Sequence, residues 1–148
     1  MKLKTNFLSA EECALLIQFY KDNQDKILEY KGTFPLGLFE FPQFQPLLNK
    51  IDTQVRKDFK DDMYLDNSQI VKWPINSCTL DHVDHGDKCV FICYLNDDYS
   101  GGETVIIDKK KSIVPKKGNM LYFDNSKLLH RVNTVGGNDR YVLAGWYA

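Results

Sequence analysis

Residues 89–123 read CVFICYLNDDYSGGETVIIDKKKSIVPKKGNMLYF, and this stretch decides the fold. Its short apolar runs are Cys89 to Leu95, Glu103 to Ile107, Ser112 to Val114 and Met120 to Phe123. Turn residues divide them: Asn96-Asp97-Asp98, Ser100-Gly101-Gly102 and Pro115-Lys116-Lys117-Gly118, with Lys109-Lys110-Lys111 at a solvated hairpin tip. Runs this short, rich in β-branched and aromatic residues and with no room for a helix between them, predict strands. The same texture extends outward, to Ile70–Ile75 on one side and to Arg131–Val135 and Tyr141–Trp146 on the other. Seven or eight short strands in succession predict a sandwich or barrel.

The sequence before residue 69 has a helical period instead. Ser9 with Glu12 three residues on forms a capping-box pattern, and Cys13, Leu16, Ile17 and Tyr20 recur at helical spacing, predicting a helix over 9–22. Phe44, Leu47, Leu48, Ile51, Val55 and Phe59 form one apolar stripe, predicting a second helix over 43–60. Two such stripes suit the covering of a sheet. The breaker-rich segment around Gly32-Thr33-Phe34-Pro35-Leu36-Gly37 reads as a loop, with residues 30–43 a candidate substrate lid in which Tyr30 and Phe34 close over a ligand.

Length and composition set the frame. At 148 residues the chain is expected to be a single domain, with 1–68 as helical support and 69–148 as the β core. Hydrophobic residues make up 43% and charged residues 26%, which excludes a disordered chain. A net charge of −1 gives no electrostatic reason to expect nucleic acid or an anionic membrane as partner. Met1-Lys2-Leu3-Lys4 leads into a charged helix rather than the apolar stretch of a signal peptide. Cys13, Cys78, Cys89 and Cys93 form no CxxC pair and read as free buried thiols in a reducing compartment, which makes the expected location cytoplasmic.

The three histidines are more informative. His82 and Asp84, one residue apart at the end of a predicted strand, leave the same face, and His130 opens a later strand. Two imidazoles and one carboxylate on one face of a metal ion form the facial triad of non-haem Fe(II) oxygenases. The plain alternative is a set of surface polar residues in the acidic stretch Asp81–Asp87, and His85, on the opposite face, is a rival ligand. On the last strand Arg140 alternates with Val142, Ala144 and Trp146, a lone cation among apolar neighbours. A buried guanidinium needs an anion, either an internal Asp or Glu or a carboxylate ligand gripped by the planar fork. Trp146, on the same inward face, is a candidate wall residue.

At this point a resemblance emerges. The motifs Trp73-x-x-Asn76-x-x-Thr79-x-x-His82-x-Asp84, Tyr94-Leu95-Asn96, Gly101-Gly102-Glu103-Thr104, Val114-Pro115-x-x-Gly118, Leu121-x-Phe123, His130-Arg131 and Arg140-Tyr141 running to Trp146-Tyr147 occur in order over residues 69–148. Together they resemble the 2-oxoglutarate/Fe(II)-dependent dioxygenases, and within them the prolyl 4-hydroxylase-like group. The resemblance implies a double-stranded β-helix, a cupin-like jelly roll, which with the two helices makes a mainly β, α+β architecture. It implies His82, Asp84 and His130 as Fe(II) ligands and catalytic centre, and Arg140, Tyr94 and Thr104 as 2-oxoglutarate-binding residues. The implied cofactors are Fe(II) and 2-oxoglutarate, with ascorbate a further candidate.

The implied reaction is hydroxylation of an unactivated C–H bond with release of succinate and CO2. The expected substrate is a prolyl residue in a peptide or protein; the alternatives are a free amino acid or other small molecule, or a jelly roll that binds a metal or small acid without turnover. Nucleobase demethylation is not expected, because relatives with that activity carry paired arginines after the distal histidine. Two departures stand out. Relatives often read Tyr-x-x-Gly-x-x-Tyr where this chain has Trp73, Asn76 and Thr79, and the second tyrosine often faces substrate. Many relatives also carry lysine where Arg140 stands.

Overall fold

The computed structural model describes residues 1–60 and 62–148. Eleven strands are present among the described residues: β1 (Lys2–Lys4), β2 (Phe34–Gly37), β3 (Leu65–Trp73), β4 (Cys89–Tyr94), β5 (Ser100–Gly101), β6 (Thr104–Ile106), β7 (Lys111–Ile113), β8 (Met120–Phe123), β9 (His130–Val132), β10 (Val135–Gly136) and β11 (Arg140–Tyr147). Two helices, α1 (Ala10–Asp22) and α2 (Gln45–Asp58), precede most of them. The six-stranded sheet has the order β1-β8-β4-β11-β3-β2 and is antiparallel throughout. A second layer is split into a three-stranded piece, β7-β6-β9, and a two-stranded one, β10-β5. The two layers are the sandwich expected from the strand spacing, in the jelly-roll form that the family resemblance implies.

Strand alternation divides the large sheet into two apolar faces. Cys89, Phe91 and Cys93 of β4, Met120 and Tyr122 of β8, and Leu143 and Tyr147 of β11 point toward the helices. Val90 and Tyr94, Leu121 and Phe123, and Val142 and Ala144 point the other way, toward Ile106 and Ile113 of the second layer. A sheet apolar on both faces must be covered on both. The helices do this with the stripes visible in sequence: Cys13, Leu16 and Tyr20 from α1 and Leu48, Ile51 and Val55 from α2 are all buried.

Local chemistry fixes those helices. Ser9 Oγ accepts from the Glu12 amide at 3.0 Å and Glu12 Oε1 accepts from the Ser9 amide at 2.9 Å, a complete capping box. A proline in the first turn of α2 occupies a place where no backbone donor is needed, and a short 3-10 turn, Pro42–Phe44, leads into it. Side chains then tie the layers together: Tyr147 Oη donates to Asp52 at 2.9 Å, Tyr20 Oη donates to the Phe34 carbonyl at 2.7 Å, and Tyr122 Oη donates to Asp58. At Gly145 in β11 a side chain is excluded by packing: a Cβ there would lie 2.2 and 2.5 Å from carbons of the Phe91 ring.

Four expectations need correction. Residues 34–37 are the edge strand β2, paired to β3 through Phe34↔Lys72, and Phe34 packs into the helix-side core instead of capping a ligand. Tyr30 is exposed and bridges to Thr33 in a local turn. The segment carrying His82 and Asp84 is not a strand end but irregular chain held by an isolated His82↔His130 bridge. Of the thiols, Cys13, Cys89 and Cys93 are buried, whereas Cys78 is exposed. All four are free. No helix among the described residues is long and apolar enough to cross a membrane.

Candidate metal centre and diacid pocket

Backbone bonds from the His82 amide to the His130 carbonyl (2.9 Å) and back (3.0 Å) place the two histidines side by side, with ring centroids 4.3 Å apart. The Asp84 amide donates to the Asn125 carbonyl at 2.9 Å, so β8 and the chain following it hold the third residue. One ligand atom from each of His82, Asp84 and His130 lies within 4.8 Å of the others. His82 Nε2 is 3.7 Å from Asp84 Oδ1, and His130 Nε2 is 3.3 Å from Asp84 Oδ2. Each Nδ1–H donates to the carbonyl two residues earlier, His82 to Leu80 at 2.7 Å and His130 to Leu128 at 2.8 Å. That contact fixes ring orientation and leaves each Nε2 lone pair for a cation, the usual outer support of a metal-binding histidine.

Electrostatics match this geometry. Burial raises the Asp84 pKa, but hydrogen bonds from His130 and Asn125 outweigh it and hold the carboxyl below its ordinary value. Burial lowers the His130 pKa, yet the Asp84 hydrogen bond and charge and the Leu128 carbonyl turn the net shift upward. Asn125, which the sequence reading passed over, is fully buried. Its Nδ2 donates to Asp84 Oδ2 at 3.0 Å and to Asp87 Oδ2 at 2.9 Å, so one amide fixes the carboxylate among the candidate ligands. No periodicity or spacing marks a single asparagine just after a strand, so no signal pointed to it. His85 is exposed and stands outside the cluster, although the strand face that would set it opposite His82 and Asp84 does not exist in this irregular segment.

The second part of the site lies between the sheets. Arg140 opens β11 opposite Trp73 of β3 and is 1% exposed. Its guanidinium carbon lies 5.0 Å from the Trp73 ring centroid and 5.6 Å from that of Tyr94. Arg140 forms no ion pair among the described residues, and its Nε and Nη2 have no hydrogen-bond partner. A buried guanidinium without an acid is costly by several kcal/mol. An internal ion pair, one of the two sequence alternatives, is therefore not what the structure contains. Tyr94 Oη and Thr104 Oγ1 meet at 2.7 Å, joining the two layers beside this arginine. Trp146 is partly buried against the inter-sheet core, which makes it a packing residue.

Thr79 has a different task from the tyrosine of relatives. Its Oγ1 accepts from the Val132 amide at 2.7 Å, pinning the approach to His82 onto β9.

Two imidazole nitrogens and one carboxylate oxygen are a donor set suited to Fe(II) with coordination positions left open. The unpartnered fork of Arg140 is suited to one end of a diacid. These residues fit the pair Fe(II) and 2-oxoglutarate.

Comparison with known proteins agrees. The chain overlays on the viral collagen prolyl hydroxylase of Paramecium bursaria Chlorella virus 1, crystallised as a 2-oxoglutarate complex, with a TM-score of 0.78 at 21% identity; the match covers 99% of this chain and 93% of that one. A prolyl 4-hydroxylase from Pseudomonas putida gives 0.78 at 15% identity, covering 99% and 90%. The prolyl hydroxylase of Trichoplax adhaerens, in complex with a hypoxia-inducible-factor peptide fragment, gives 0.79 at 15% identity, covering 99% and 82%. At these identities the overlays establish the shared fold. No curated protein matches the chain. The sequence pattern of the 2OG-Fe(II) oxygenase superfamily, however, fits residues 63–148, which hold the His-Asp-His cluster, the buried arginine and most of the jelly roll, and the chain therefore belongs to that superfamily, with Fe(II) and 2-oxoglutarate as its cofactors.

Proposed function

We propose that the chain hydroxylates a prolyl residue in a peptide or protein, with His82, Asp84 and His130 holding Fe(II) and with Arg140, Tyr94 and Thr104 seating 2-oxoglutarate. The observation that carries this reading is the convergence of two Nε2 atoms and one carboxylate at a single point, each oriented by a backbone or amide contact of its own. The chemistry that Fe(II) and 2-oxoglutarate supply together is C–H hydroxylation coupled to release of succinate and CO2.

The chain's own residues provide geometry and charge. The Leu80 and Leu128 carbonyls present both imidazoles in the ligating tautomer, and Asp84 offsets part of the metal's charge. Arg140 grips the far carboxylate of the cosubstrate, so that 2-oxoglutarate enters in one direction only. Phe123, packed edge-on against His130 at 5.0 Å, walls the centre on its sheet side. His82 and Asp84 keep 38% and 33% of their side-chain surface accessible, an opening that suits an extended chain drawn across the site. The peptide-bound Trichoplax relative lends support to the same substrate class.

A second reading has one observation in its favour. The Thr79 hydroxyl is occupied by the Val132 amide, and the position lacks a tyrosine facing the substrate, which favours a smaller acceptor such as a free amino acid. The four free thiols support a reducing compartment and a cytoplasmic location.

The test uses protein loaded anaerobically with Fe(II) and 2-oxoglutarate, which should show the weak visible charge-transfer band of the chelate. His82→Ala and Asp84→Ala should abolish both the band and iron retention; retention of both would overturn the assignment. Succinate release stimulated by proline-containing peptides but not by free proline supports the prolyl reading. Stimulation by free amino acids alone would replace it with the second.

A further inference from the structure

The surroundings of Arg140 hold more unsatisfied donors than the residues named so far. The Trp73 indole Nε1 is buried without a partner, and so is the hydroxyl of Tyr99, which lies in the turn between β4 and β5. Both belong to the neighbourhood of the arginine. The Trp73 ring stacks beside the guanidinium. Gly102, at φ +68°, is crowded by both Tyr99 and Arg140: a Cβ there would lie 2.8 Å from Tyr99 Cε2 and 3.0 Å from Arg140 Cδ. The absence of that Cβ brings the phenol ring and the arginine stem together. Burial pushes the Tyr99 pKa well up and the nearby Arg140 only partly opposes it, so the hydroxyl keeps its proton and remains a donor.

Buried donors left unpaired are costly, and beside the unpaired Nε and Nη2 of Arg140 stand two residues with unpaired donors of their own, Trp73 with Nε1 and Tyr99 with Oη. A carboxylate offers about four acceptor positions, enough for this whole set. We propose that Tyr99 and Trp73 are further cosubstrate-binding residues, whose O–H and N–H donate to the same carboxylate that Arg140 grips. This rests on the reading of the Arg140 pocket as the 2-oxoglutarate site. In the sequence Tyr99 is one aromatic in a polar turn, and it becomes informative only when its unpaired hydroxyl is seen beside a buried cation.

The experiment is isothermal titration of the anaerobic Fe(II)-loaded chain with 2-oxoglutarate and with 2-oxopentanoate. The second acid has the same carbon skeleton and metal-facing end but a methyl group in place of the far carboxylate. Tyr99→Phe keeps the ring, and Trp73→Phe provides an independent second variant. Each should weaken 2-oxoglutarate by roughly ten- to a hundredfold, the worth of one hydrogen bond to a charged acceptor, and leave 2-oxopentanoate within twofold. Unchanged 2-oxoglutarate affinity in both variants, or equal weakening of both acids, would overturn the proposal. Should the wild-type chain bind the two acids equally well, the Arg140 pocket itself is misassigned, an outcome that no Tyr99 result can mimic.

Discussion

Replacing Arg140 by methionine should make the protein more stable and, at the same time, unable to respond to its cosubstrate. The side chain is 1% exposed, has no acid within ion-pair distance among the described residues, and leaves Nε and Nη2 unpaired. Removing a guanidinium from water costs several kcal/mol even after relaxation. The Trp73 and Tyr94 faces, at 5.0 and 5.6 Å, each offset about 1 kcal/mol of that. Methionine, unbranched and of similar reach, fills the slot between the two rings without a charge. The net gain is about 2 kcal/mol, or roughly 6 °C in Tm for a domain of this size.

Adding 2-oxoglutarate to the Fe(II)-loaded chain at a hundredfold excess over Kd should stabilise the wild type by about 2.7 kcal/mol and the variant far less. The ranking of the two proteins should therefore invert on addition of one small diacid. Differential scanning fluorimetry under anaerobic conditions reads both quantities. A variant several degrees less stable than wild type without cosubstrate would mean that Arg140 has an internal partner, and the diacid argument would be lost.

Other perturbations give equally direct readouts. Asn125→Ala removes both donors that hold Asp84 and Asp87, and Fe(II) affinity, measured against a competing chelator, should fall about 10- to 100-fold; a Kd within twofold of wild type would contradict the positioning role. Because the His130 pKa is raised and a ligating imidazole must be unprotonated, proton competition begins at higher pH than for an ordinary histidine. Metal affinity should accordingly decline as pH falls through the neutral region, and a titration flat from pH 8 to 5.5 would disprove this. Gly145→Ala forces a methyl group to within 2.2 Å of the buried Phe91 ring, and urea denaturation should show a loss of about 1–3 kcal/mol.

The parts of the fold that the sequence revealed are those governed by local period. The α1 capping box, the α2 stripe and the run Met120–Phe123 all appear where expected, because each is written in consecutive residues. Strand β1, Lys2-Leu3-Lys4, and strand β2, with a proline in its middle, carry no period of their own. They are strands because β8 and β3 offer them an edge, and a partner's edge is not visible in a three- or four-residue run. The candidate site divides in the same way. The H-x-D spacing pairs His82 and Asp84 through a strand face, yet the structure joins them through a bridge to His130 that only the folded chain supplies. Arg140 was conspicuous because a cation interrupts apolar alternation. Asn125 and Tyr99 interrupt nothing, and their significance lies in which groups face them.

The four sulfurs of this iron oxygenase have very different fates in prospect. Cys13, Cys89 and Cys93 are sealed under the helices, and burial drives their pKa values upward, to about 12 at Cys89, so almost none of that sulfur exists as nucleophilic thiolate at neutral pH. Peroxide escaping an unproductive turnover would find Cys78 alone at the surface. A maleimide count of one on the native protein, rising to four in denaturant, would thus serve as a gauge of intactness in any preparation stored with iron and air.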